Sequence, residues 1–127
     1  MEAHPYFTQK ELRTTLDRYG IRLMSWYPLG HGDKSLINEP VFTRLAAKYG
    51  KRPAQIILRW HVQSGNVVFP GSRNPEHIRD NFDIFDFALT GEEMAEIAKL
   101  DKDQRYYHRT DEQLAQFAAW KPSFEVK

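Results

Sequence analysis

The sequence contains no cysteine, and that excludes disulfides, thiolate metal sites and cysteine nucleophiles together. It has little excess charge: 18 Lys and Arg stand against 17 Asp and Glu, a net of +1. Nothing in that balance advertises a nucleic acid or an anionic membrane as partner. No apolar run approaches the roughly 20 residues that a membrane span needs. Met1-Glu2-Ala3-His4-Pro5 lacks the basic and then apolar segments of a secretory signal. These features lead us to expect a cytoplasmic protein with neither nucleic-acid nor membrane partners. His4, His61 and His108 share no ligand spacing, so no metal site is expected.

What is present is an ordinary supply of core. At 127 residues, 41% hydrophobic and 13% aromatic, the chain can bury roughly two thirds of its surface as one unit. No internal repeat, low-complexity tract or linker divides residues 1–127.

Local patterns alternate helices with short buried strands. Thr8 and Glu11 have capping-box spacing ahead of Leu12 and Leu16, with Gly20 as the stop. Residues 22–27 read as a strand closed by Pro28, followed by the glycine-punctuated loop Leu29-Gly30-His31-Gly32-Asp33. Helices are expected from about Asn38 to Tyr49 and from Pro53 to Gly65, then a strand over 66–70. Asn74 caps a helix with Pro75 at its first position. Thr90 with Glu93 opens another that runs to Leu100, and a last one spans Thr110 to Ala119 before Lys121-Pro122. With residues 1–4 as a further strand, about three parallel strands surrounded by helices are expected, an α/β fold with two open sheet edges.

In such folds ligands gather at the carboxyl ends of the strands, where loops and helix N-termini converge. Two segments qualify. Trp26 to Asp33 offers an aromatic strand end and a loop that lets backbone approach a ligand. Gly71 to His77 offers a hydroxyl, a guanidinium and a helix N-terminus suited to a phosphate. Taken singly, Trp26 reads as core packing and Ser72-Arg73-Asn74 as an ordinary turn and cap. Asp83 and Asp86 alternate with Phe82, Phe85 and Phe87 and read as a loop rather than a catalytic pair. Spacing alone leaves the function undecided.

Five segments, in order and spacing, resemble the C-terminal half of the aldo-keto reductases: Glu2-Ala3-His4-Pro5-Tyr6, Met24 to Gly30, Pro53 to Trp60, Phe69 to Phe82 and Phe85-Asp86-Phe87. Within the family the pattern resembles the bacterial 2,5-diketo-gluconate reductase-like branch. The resemblance covers residues 1–101 and leaves 102–127 as a divergent tail, in a position where the family's tail shapes the substrate pocket. It implies the C-terminal part of a TIM-type (β/α)8 barrel, from strand six onward, that binds NADP(H) and reduces aldehydes or ketones to alcohols by hydride transfer. A full barrel needs about 250 residues. The resemblance implies that the family's catalytic Asp, Tyr, Lys and His, and the Gln that holds the nicotinamide amide, belong to positions before Glu2. No catalytic residue is therefore expected here, His4 is not the catalytic histidine, and the chain is expected to be truncated and inactive alone. The parent enzyme is expected to be a monomer acting on a small carbonyl compound. The alternative is a non-catalytic half-barrel that associates with a partner or with itself through its open strand edges.

The resemblance also assigns the cofactor-binding positions. Trp26 stands where an aromatic stacks on the nicotinamide, and Tyr27 where the family often has Ser. Leu29, Gly30 and His31 would run along the diphosphate, and Asp33 matches the acidic residue of the loop that closes over the cofactor. Ser72, Arg73 and Asn74 match the adenosine-phosphate segment, and Asp80 and Asn81 the residues facing adenine. Gly71 and His77 replace the Lys and Arg typical of NADP(H)-preferring members, leaving Arg73 as the fixed cation of that segment. Little discrimination between NADP(H) and NAD(H) is the expected result. Without the Lys, Asp33 also lacks its usual partner.

Overall fold

The computed structural model describes residues 1–121. Its elements in order are α1 (Lys10–Arg18), β1 (Met24–Ser25), α2 (Lys34–Ile37), α3 (Pro40–Tyr49), α4 (Pro53–Gln63), β2 (Val67–Val68), α5 (Pro75–Phe82), α6 (Gly91–Ala98) and α7 (Asp111–Ala119). Pro122, expected to stop the last helix, lies outside the described residues.

The sheet has two strands, not three. β1 and β2 are parallel, with Met24 opposite Val67 and Ser25 opposite Val68, so both carboxyl ends leave the sheet on the same side. Residues 1–4 contribute a single parallel bridge, Glu2 to Trp26, in which the Trp26 amide donates to the Met1 carbonyl at 2.8 Å and the Ala3 amide to the Trp26 carbonyl at 3.4 Å. Pairing stops there because His4 and Phe7 exchange backbone bonds at 3.1 and 2.8 Å. That closes a turn around Pro5 and lifts the chain off the sheet.

Helix starts follow side-chain chemistry where the hydroxyl or amide is free. The Asn74 side chain accepts from the Glu76 amide, Thr90 from Glu93 and Thr110 from Gln113, as their spacing implies. Thr8 does not cap α1. Its hydroxyl donates to Asp101 instead, and Gln9 enters the helix with a left-handed φ of 59°. The short α2 has no apolar periodicity to announce it and is opened by Asp33, which accepts the Ser35 amide at 2.8 Å.

α4 is the central helix, with Ile56, Ile57, Leu58, Trp60 and His61 all buried. It packs with Val41, Phe42, Leu45 and Ala46 of α3, Leu36 of α2, Ile97 of α6, Leu89 and Tyr6 into one core. At about 1.5–3 kcal/mol for each fully buried large aliphatic side chain, this layer supplies most of the hydrophobic stabilisation. Several apolar residues outside this core are left exposed: Met24 (55%), Val67 (40%), Phe69 (69%), Phe82 (77%) and Phe85 (68%). Val67, Phe69, Phe82 and Phe85 line an open groove of about 590 Å³ between α4, β2 and α5.

Candidate functional site

Pro28 follows β1's segment, and residues on both sides of it take conformations that side chains rarely adopt. Tyr27 and His31 have φ of 53° and 50°, and Gly30 and Gly32 of 82° each. Such a loop persists only when its surroundings over-determine it. Several contacts do so. The Gly30 amide donates to the Tyr27 carbonyl and the Asp33 amide to the Gly30 carbonyl, both at 2.9 Å. The Tyr27 and His31 rings stack with centroids 3.8 Å apart. The Pro28 carbonyl lies 3.0 Å from Nε2 of His61. His61 is fully buried and its Nδ1 lies 2.8 Å from the Asn66 amide. Burial lowers its pKa to about 4, against the opposing pull of the Pro28 carbonyl, so it is neutral at pH 7.

Trp26, at the end of β1, is 42% exposed. Tyr27 stacks on it at 5.3 Å, and Tyr107 from the tail leans on it at 4.9 Å with an interplanar angle of 57°. Gly30 is closed in. A Cβ there would lie 2.8 Å from Leu36 and 3.5 Å from the Tyr106 hydroxyl.

The second segment leaves β2 and enters α5. Ser72 Oγ accepts the Asn74 amide at 3.1 Å, and Asn74 in turn caps the helix, accepting the Glu76 amide at 2.9 Å. Asn81 Nδ2 reaches back to the Pro70 carbonyl at 3.3 Å. Arg73 is exposed and is not among the residues of the cleft described next.

A cleft of about 310 Å³ joins the two segments. Leu29 enters it from the β1 loop; Gly71, Ser72, His77, Asp80 and Asn81 enter it from the β2 loop and α5. Six of the thirteen positions singled out in the sequence thus share one cavity. The remaining seven divide between the strained loop (Trp26, Tyr27, Gly30, His31, Asp33) and the helix entry (Arg73, Asn74).

The cleft also contains residues that sequence reasoning missed. Arg52 at the start of α4 lines it, with Nη2 2.8 Å from Glu76 and Nε 3.1 Å from Asp80. Arg73 is therefore not the sole fixed cation of the region, although Arg52 already faces two carboxylates. The Asp80 Oδ2 atom is buried and makes no aligned hydrogen bond despite that approach. Gln55 holds the wall of the cleft together: Oε1 accepts the Arg52 amide at 2.8 Å, and Nε2 donates to the Asp80 and Asp83 carbonyls at 3.1 and 2.8 Å. A glutamine in the first turn after Pro53 was the available signal. Asp83 and Asp86 both bind Lys51 Nζ, at 2.7 and 2.8 Å, which accounts for the pair structurally.

Asp33 has a partner after all, in the tail. The Tyr106 hydroxyl donates to Oδ2 at 2.6 Å, and the Ser35 hydroxyl donates to the same oxygen at 2.8 Å. These bonds, that of Tyr106 first, hold the Asp33 carboxyl below the usual carboxylate range. Burial and then the hydrogen bond to Asp33 push the Tyr106 phenol up.

A cleft at the carboxyl ends of parallel strands, walled by the helix that follows one of them, is the ligand position of α/β proteins, barrels included. Residues 1–102 match the sequence pattern of the Aldo/keto reductase family, and the chain belongs to that family. It is 48% identical over 105 residues to an aldo-keto reductase of Mycolicibacterium smegmatis, and 46% identical over the same length to the methylglyoxal reductase DkgA of Escherichia coli. Each alignment covers 83% of this chain and 38% of the relative, so the chain spans under two fifths of the length of these relatives. Among solved structures, an aldo/keto reductase from Brucella melitensis superimposes with TM-score 0.72 at 46% identity, covering 79% of this chain and 37% of that one. A variant of Gox0644 in complex with NADPH gives TM-score 0.80 at 38% identity, covering 85% and 40%.

Proposed function

We propose that this chain is the cofactor-holding, C-terminal portion of an NAD(P)H-dependent aldo-keto reductase barrel. In this reading the catalytic Asp, Tyr, Lys and His are contributed by sequence outside residues 1–127, and the chain alone does not reduce carbonyl compounds. The observation that carries the reading is the shared cleft, in which Leu29 from one strand's loop meets Ser72, His77, Asp80 and Asn81 from the other's. The residues present fit a dinucleotide. Asp80 and Asn81 present a carboxylate and an amide to the cleft, although Asp80 Oδ2 already faces Arg52 Nε at 3.1 Å. Gly71 leaves open space, since a Cβ there would meet nothing within 4 Å.

Asp80 and Asn81 would hold the base, and Ser72, Asn74 and the N-terminal turn of α5 the adenosine phosphate. The backbone of Leu29, Gly30 and His31 would follow the diphosphate, with Asp33 fastening the loop. Trp26 would present an aromatic face to the nicotinamide. When bound, the nicotinamide supplies the hydride that reduces an aldehyde or ketone. Two features bear on cofactor choice. Gly71 brings no charge to a 2′-phosphate, and Arg52 is already engaged by Glu76 and Asp80. The reading therefore includes little discrimination between NADPH and NADH.

Fluorescence titration of the 127-residue chain with NADPH and NADH, followed by addition of a reactive aldehyde, tests this. Saturable binding of both dinucleotides, lost in Asn81→Ala and unaccompanied by NADPH oxidation, is expected. No saturable binding refutes the cofactor assignment, and clear turnover refutes the missing machinery. A second reading, a non-catalytic half-barrel that pairs with itself or a partner, is favoured by the exposed apolar groove along Val67, Phe69, Phe82 and Phe85. Sedimentation velocity separates the two, because a monomer at high concentration counts against association.

A further inference from the structure

Tyr106 and Tyr107 of the tail lie against the 26–33 loop, and their attachment is specific. The carboxylate of Glu2, only 4% exposed, accepts the Tyr106 amide at 2.5 Å through Oε1 and the Tyr107 amide at 3.0 Å through Oε2. His4 Nε2 lies 3.0 Å from the same Oε1, and the His4 and Tyr106 rings meet at 4.6 Å. Upstream, the Lys102 and Gln104 amides both donate to the Tyr6 carbonyl, at 3.0 and 3.1 Å. So fixed, the Tyr106 side chain lies beside Gly30, with its hydroxyl on Asp33.

Asp33 does two things at once: it caps α2 and ends the loop in which Tyr27, Gly30, His31 and Gly32 hold positive φ. A backbone in that conformation gains nothing from its own torsions. Besides its internal bonds, the ring stack and the His61 contact, the loop has its Asp33 end tied to the tail through a phenol.

We propose that Tyr106 is a positioning residue for the 27–33 loop: its hydroxyl, aligned by the buried Glu2 carboxylate, fastens Asp33 and sets how slowly a dinucleotide leaves the cleft. The kinetic half of this inference rests on the nucleotide reading above; the conformational half does not. A charge-assisted hydrogen bond from a partly exposed phenol is worth roughly a tenfold change in loop opening. Tyr107, by contrast, touches Trp26 and contributes no bond to Asp33.

The test uses the full chain with Tyr106→Phe, which keeps the ring and removes the hydroxyl, and Tyr107→Ala, which keeps the hydroxyl. Hydrogen–deuterium exchange is followed in peptides covering 29–37 and, as a reference, 53–63. Stopped-flow displacement then gives NADPH association and dissociation rates. Tyr106→Phe is expected to speed exchange in 29–37 about tenfold, to leave 53–63 unchanged, and to raise the dissociation rate by a similar factor with association unaltered. Unchanged exchange in 29–37 overturns the proposal. So does an equal acceleration in 53–63, or the same effect from Tyr107→Ala. If the loop loosens as expected but wild type binds no NADPH, the fastening stands and the nucleotide reading falls.

Discussion

Acidifying this protein should cost it stability well above the range where carboxylates titrate, and His61 is the reason. Its ring is buried, with Nε2 against the Pro28 carbonyl and Nδ1 against the Asn66 amide. Desolvation, helped by the nearby charges of Arg13 and His4, lowers its pKa from 6.5 to about 4. Below pH 6.5 the unfolded chain takes up a proton that the folded chain refuses. Stability is thus fully present above pH 6.5 and is lost as pH falls toward 4. At about 1.4 kcal/mol for each pH unit, the whole window amounts to about 3 kcal/mol, of which about 2 kcal/mol is gone by pH 5. Glu93, whose pKa is lowered to about 2 by Lys48, the Thr90 amide and Tyr49 against its own burial, loses its contribution only below about pH 4.5. The two windows overlap only between about pH 4.5 and 4. Urea unfolding of wild type and His61→Gln between pH 7.5 and 4.5 reads the difference, in which the shared contribution of His4 cancels. Wild type should lose about 2 kcal/mol more than the variant between pH 6.5 and 5. Equal slopes, or an imidazole NMR titration midpoint near 6.5, would refute the reasoning. Either outcome would mean that Asn66 turns its Oδ1 toward the ring, since that oxygen has no partner now and would welcome a protonated Nδ1.

Gly30→Ala should destabilise by about 2–4 kcal/mol, because the left-handed φ and a Cβ 2.8 Å from Leu36 add together; denaturant midpoints check it. Thr90→Ala removes the reciprocal cap of α6 and should cost about 1 kcal/mol by the same measurement. Trp26→Ala should leave thermal stability nearly unchanged, since the indole is half exposed, while weakening NADPH binding in the fluorescence titration. Lys51→Met frees Asp83 and Asp86 and should speed proteolytic nicking between Phe82 and Phe87. An unaltered cleavage pattern would show that the loop is held by its phenylalanines instead.

Helix ends with a free hydroxyl or amide were legible in the sequence, as Asn74, Thr90 and Thr110 show, because a cap is a contact within four residues. Thr8 has the same local pattern and goes elsewhere, to Asp101, ninety-three positions away. No local rule sees that competitor. Residues 1–4 look like a strand by composition, yet the reciprocal His4–Phe7 turn limits them to one bridge. For the site, strand ends and glycine punctuation located both loops, and the family pattern supplied their pairing. Arg52, Gln55 and Tyr106 stayed hidden because they reach the site from α4 and from the tail, and only the packing of α4 against α5 and the Glu2 carboxylate bring them there. Asp33 was recognised, but its partner was sought among lysines rather than phenols.

The ring pair of Tyr27 and His31 sets a conflict for anyone wishing to make this protein hardier. Glycine or asparagine at either position would relax the main chain and raise the melting point on its own account. Either swap also discards an aromatic side chain beside Trp26 or on the loop that borders the cleft. On the proposed dinucleotide reading, ruggedness and recognition pull against each other at these two residues, and variants selected for heat tolerance alone should drift toward weaker nucleotide affinity.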